Sequence, residues 1–196
     1  MSKLQIIVGS TRPTRSSDLV VPWVISRASA HRGFDVELID LRDWPLPFFA
    51  EHMGTVGDFS DPTYSVPIVK AWNNKIKEAD AFIVVTPEYN HSYPAGLKAA
   101  IDWHFTQWTA KPVAFVSYGG PAGGRHAVLH LENVFSELHA VTIRDGLSFP
   151  LYMLNWHDGK PDDPQAAAVA TIMLDQLSWW ASALSKARAE VPYPVS

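Results

Sequence analysis

Two short stretches of this chain concentrate groups that can hold charge. The first, GSTRPTRSS at residues 9–17, offers the hydroxyls of Ser10, Thr11, Ser16 and Ser17 and the guanidinium groups of Arg12 and Arg15. It follows an apolar run, LQIIV at residues 4–8, and precedes a helical periodicity of Leu19, Val20, Trp23, Val24 and Arg27. A strand, a hydroxyl-rich loop and a helix start together make an anion site, because the first N–H groups of a helix are unpaired and its dipole places about half a positive charge there. A dianionic phosphate suits it. No Gly-Lys-Ser/Thr follows, and Gly9 lacks the partners of a Gly-x-Gly-x-x-Gly fingerprint, so the loop favours a mononucleotide. Composition alone supports equally a Ser/Thr-capped helix with solvated arginines.

The second stretch, PEYNHSY at residues 87–93, is dense in hydrogen-bonding groups and aromatic edges. It separates a β-branched apolar run at residues 81–86 from a helix announced by Pro94, with Leu97, Ile101 and Phe105 at steps of four. A third loop, Tyr118-Gly119-Gly120-Pro121-Ala122-Gly123-Gly124, follows a strand ending at Ser117. Its glycines let backbone approach a flat ring closely, or simply mark a tight strand-to-helix turn. Competing chemistry is thin. His126 and His130 stand four apart on one expected helix without a third ligand in helical register or an HExxH pattern, so no metal site is expected. Ser92 and Ser117 lack the Gly-x-Ser-x-Gly setting of a hydrolase nucleophile. Glu88 reads as a loop-orienting carboxylate, Asp102 as a helix partner and Glu132 as solvated.

The elements that must carry these loops alternate strand and helix. Beyond those named, residues 34–41 alternate as an edge strand, and helices are expected over residues 65–79, 125–138 and 164–189. Strands at residues 111–117 and 140–147 complete a set of five. The result is an α/β, doubly wound, five-stranded parallel sheet in the order 2-1-3-4-5 with helices on both faces, forming a single domain over residues 1–196. In that order the loops after the first and third strands emerge side by side at the switch point, where ligands bind. The long loop 43–67 reads equally as a surface excursion pinned by Trp44, Phe48 and Phe49 or as part of the substrate pocket or a subunit contact, and the loop 150–163 carries no readable role. The chain has no cysteine, which removes thiolate and disulfide chemistry. Its net charge of −4, without a basic cluster, argues against nucleic acid. With 47% hydrophobic and 18% charged residues, no membrane-length apolar run and no leader pattern, a cytoplasmic location is the expectation. Trp103, Phe105 and Trp108 at one helix end suggest a subunit contact, with a buried core position for all three as the alternative.

The three loops, in this order, resemble the NADPH-dependent FMN reductase family, a flavodoxin-like group that includes quinone, azo-dye and chromate reductases. The resemblance implies non-covalent FMN as cofactor, NADPH or NADH as co-substrate, a small-molecule electron acceptor, no membrane, and a homodimer or homotetramer. It implies a phosphate held by Ser10, Arg12, Ser16 and Ser17, with Arg15 beside them, and a flavin ring on Pro87, Glu88, Tyr89 and Asn90. Ser117, Tyr118, Gly119, Gly120, Gly123 and Gly124 would meet its other edge. Relatives tend to have Arg-Ala where this chain has His126-Ala127, with Arg125 one place early. No side chain is expected to be catalytic: hydride passes through the flavin N5 and on to a second substrate in a ping-pong sequence. The alternatives are a flavodoxin-like electron carrier that does not turn over NAD(P)H and, from the first loop alone, a non-flavin nucleotide binder.

Overall fold

The computed structural model describes residues 1–51 and 66–194. Strands β1 (Ser2–Val8), β2 (Phe34–Asp40), β3 (Ala81–Pro87) and β4 (Pro112–Gly119) pair in parallel, in the order β2-β1-β3-β4. All seven residues of β3 are buried, as apolar runs covered on both faces require, whereas the edge strand β2 buries only Phe34 and Ile39. Helices α1 (Ser17–Ser29) and α5 (Ala166–Glu190) pack one face through Val20, Val24, Met173 and Leu177. On the other face α2 (Pro67–Lys77), α3 (Ala95–Asp102) and α4 (Arg125–Glu137) bury Trp72, Ile101, Leu131 and Phe135. The sheet is therefore the flavodoxin-like arrangement expected.

The fifth place in the sheet differs from the single strand expected over residues 140–147. It holds two short strands, β5 (Val141–Thr142) and β6 (Leu147–Pro150), both parallel to β4. β4 advances from Val113 to Val116 while its partner advances from Thr142 to Leu147, so the partner bulges between its two halves. Gly146 lies in that bulge, where a β-carbon would come 2.7 Å from the Phe115 carbonyl oxygen. The expected loop 150–163 also contains structure, a hairpin of β7 (Trp156–His157) and β8 (Lys160–Pro161) turning through Asp158 and Gly159, both left-handed.

The aromatic helix end is a second correction. α3 stops at Asp102, so Phe105 does not continue its face, and Trp103 and Trp108 are buried at 1% and 0% exposure. Trp108 packs edge-on against Phe135, and the Trp103 indole N–H donates to the Pro47 carbonyl at 2.7 Å. These rings belong to the core, and the subunit contact inferred from them loses its basis. Trp44 and Phe49 pin the start of the loop 43–67 against Trp72 and Trp103, while most of that loop lies outside the described residues.

Candidate functional site

The C-terminal ends of β1, β3 and β4 lie side by side, so the three polar loops open on one edge of the sheet. Between them is a cavity of about 360 Å³, within the ordinary size range of small-molecule sites. Ser10, Arg12, Arg15 and Ser16 line one end, Pro87, Glu88 and Tyr89 the second side, and Tyr118, Gly119 and Gly120 the third. The Ser10 hydroxyl is 3.0 Å from the Tyr89 hydroxyl, and the Arg12 guanidinium lies 5.8 Å from the Tyr89 ring centroid. A cation and two hydroxyls thus meet at the mouth of a helix start, the donor set an anion needs.

Arg15 has another task. Its side chain is 4% exposed and donates to the Ser10 carbonyl at 2.8 Å, to both Asp40 oxygens at 2.6 and 2.5 Å, and to Asp18 at 2.8 Å. Its fork of donors is engaged within the protein, so Arg15 fastens the loop after β1 to the end of β2 beside the cavity it lines. Burial alone would push the Asp40 carboxyl up, yet the bonds from Arg15 and Arg42 hold it down at about 2.

Other expected residues shape the cavity from behind. Ser17, expected at the phosphate, is fully buried and is not among the residues lining the cavity. The Ser117 hydroxyl donates to the Gly123 carbonyl at 2.8 Å. Gly123 and Gly124 adopt φ of +63° and +87°, and a β-carbon on Gly124 would stand 2.6 Å from that of Ser117. They hold the turn that presents Gly119 and Gly120. A β-carbon on Gly120 would meet nothing within 4 Å, so this part of the floor faces open space. Asn90 is exposed on a turn beyond the rim. Tyr118 is 2% exposed, and burial pushes its hydroxyl up to about 12, so it stays neutral.

The fourth wall was not foreseen. Leu151, Tyr152, Met153 and Leu154, after β6, complete the cavity. The Leu151 N–H donates to the Gly120 carbonyl at 3.1 Å, and the Tyr152 hydroxyl donates to Ser16. Met153 and Leu154 are 75% and 70% exposed, an apolar pair left open at a binding edge. The available signal was that LYML directly follows a sheet strand's C-terminal end. At the start of α4 it is His126, not Arg125, that meets Glu88, with its Nδ1 3.0 Å from one carboxylate oxygen and its backbone N–H donating to the other at 3.1 Å.

A parallel sheet in the order β2-β1-β3-β4-β5, with a cavity where the loops after β1, β3 and β4 meet, defines a flavodoxin-like α/β protein. Residues 2–152 match the family described as NADPH-dependent FMN reductase, and the chain belongs to that family. An NAD(P)H-dependent FMN reductase of Schizosaccharomyces pombe is 40% identical over 122 residues, 62% of this chain and 60% of that protein. An NAD(P)H:quinone oxidoreductase of Solanum tuberosum is 38% identical over 114 residues, 56% of this chain and 55% of the relative. The matched region thus spans 60% or less of these two relatives' lengths. The flavoenzyme NAD(P)H:(acceptor) oxidoreductase FerB of Paracoccus denitrificans shares the fold, with a TM-score of 0.72 at 23% identity, over 93% of this chain and 98% of that one. No helix among the described residues is long and apolar enough to cross a membrane.

Proposed function

We propose that the chain binds FMN non-covalently in the cavity at the switch point and uses it as an NAD(P)H-dependent oxidoreductase acting on quinone-type acceptors. The observation that carries this reading is the convergence of the loops after β1, β3 and β4 on one cavity with cationic and hydroxyl groups at one end and bare glycine backbone at another. The residues fit the group. Ser10, Arg12 and Ser16 hold the phosphate, and Arg15 keeps their loop in shape through Asp40. Gly120 leaves room for a flat ring against backbone, while Tyr89 and Tyr152 wall it in. When bound, FMN supplies acceptance of a hydride from NAD(P)H and delivery of two electrons to a second substrate. The chain's own part is to bind, orient and shield, and one cavity admits the two substrates in turn, giving ping-pong kinetics.

A cytoplasmic location and assembly as a homodimer or homotetramer belong to the same proposal. Exposed apolar residues such as Met153, Leu154 and Trp179 support assembly, and light scattering that returns only a 21.8 kDa species at micromolar concentration would refute it. Activity is tested by steady-state kinetics with NADPH and NADH against a quinone. Parallel double-reciprocal lines are expected. Intersecting lines would overturn the ping-pong sequence. Flavin-loaded protein that stays oxidised for minutes under anaerobic NADPH would make it an electron carrier instead.

A further inference from the structure

Beside the turn after β3 stand two histidines, His91 and His126, that do not line the cavity. Tyr89 and Ser92 exchange backbone hydrogen bonds at 2.7 and 3.0 Å, closing a two-residue turn whose central residues, Asn90 and His91, have φ of +50° and +63°. Such turns favour glycine at the second central place, so a histidine there is held in an unfavourable backbone conformation. The conformation lays the His91 ring on that of His126, with centroids 4.1 Å apart and planes 7° from parallel. Glu88, only 12% exposed in its side chain, meets the same His126.

We infer that Glu88, His91 and His126 form a binding site for a borderline divalent transition-metal ion such as Zn²⁺ or Co²⁺. One donor atom from each lies within 4.8 Å of the other two. Donors bonded at about 2.1 Å to one ion stand roughly 3.0–3.4 Å apart, and the Nδ1 of His126 is already 3.0 Å from Glu88 Oε1. Face-to-face rings cannot aim their in-plane lone pairs at one ion, so binding requires the exposed His91 ring to turn out of the stack. The other Glu88 oxygen keeps its bond from the His126 N–H, which orients the carboxylate as an outer hydrogen bond does in metal sites. Two imidazoles and one carboxylate select this ion class over Mg²⁺ or Ca²⁺, which prefer all-oxygen sets. Three protein ligands leave a position for water or an oxygen-bearing ligand, at the rim of the cavity that Glu88 lines. His130, which bonds Ser92 at 3.0 Å, stays outside the set.

Because the site is built from protein groups alone, it is tested without flavin or turnover. Untagged, chelator-treated protein is titrated with Co²⁺ by visible absorption and with Zn²⁺ by calorimetry. One equivalent is expected, with affinity falling at least 10-fold in His91→Ala and in Glu88→Gln, and unchanged in His31→Ala and His157→Ala, whose histidines pair with aspartates elsewhere. His91 sits on an exposed turn, so that variant reports on ligation apart from folding, which circular dichroism checks. Absence of a saturable Co²⁺ band and Zn²⁺ heat up to millimolar ion would overturn the inference. So would binding that survives His91→Ala and Glu88→Gln, or that disappears in His31→Ala or His157→Ala.

Discussion

Asparagine at position 40 keeps the shape of the aspartate and removes its charge, which isolates the electrostatic part of the Arg15 fastening. Asp40 is 14% exposed and bonded by Arg15 at 2.6 and 2.5 Å, and its carboxyl sits at about 2. The gap from the ordinary value of about 3.9 corresponds to about 2.5 kcal/mol, and screening through the more exposed Arg42 trims this to about 2 kcal/mol. For a domain of this length the melting temperature of Asp40→Asn should fall by about 4–8 °C at pH 7. The sign with pH follows from the direction. The folded value lies below the unfolded one, so the stabilisation is present above about pH 4 and is lost as pH falls toward 2. Urea titrations of both proteins between pH 7 and pH 3 should show the difference roughly halved at the acid end. Because Arg15 also bonds the Ser10 carbonyl, FMN affinity should weaken as well. A variant within 0.5 kcal/mol of the parent at pH 7, or a difference that does not shrink with acid, would refute the reasoning.

Arg12→Ala should weaken FMN binding about 10–100-fold, the effect of one charge-assisted phosphate contact, with melting temperature little changed; equal affinities in a flavin-fluorescence titration would remove Arg12 from the phosphate site. Gly124→Ala places a β-carbon at φ +87° and 2.6 Å from that of Ser117, and should cost about 2 kcal/mol or more in urea unfolding. Parental stability would mean that the turn relaxes freely. Tyr152→Phe removes the hydroxyl that donates to Ser16, and a loss of FMN affinity of roughly 3–10-fold is expected. No change would show that the fourth wall only packs.

Periodicity and punctuation made most of the fold legible. Runs such as 81–86 and 4–8 read as strands covered on both faces, and their alternation with helices points to a parallel sheet, which the structure has in the order expected. The fifth strand was misread because apolar periodicity does not report a bulge, which depends on how closely Gly146 approaches the Phe115 backbone on a neighbouring strand. The aromatic cluster at 103–108 was misread for a related reason. A large side chain is equally suited to core or contact, and only the position of α4 and the loop at Pro47 determines which.

At the site, residue type and local spacing determined which loops carry the chemistry, because a strand followed by hydroxyls, arginines and a helix start has its anion-binding N–H groups built in. What local spacing cannot hold is the partner of each side chain. Arg12 and Arg15 are equivalent donors in the sequence, and they part only when β2 brings Asp40 beside one of them. Tyr152 joins Ser16 from 136 residues away, and His126 replaces Arg125 against Glu88 because of how α4 begins. Those are contacts between distant elements, and their energies exist only once the sheet has set the elements at hydrogen-bonding distance.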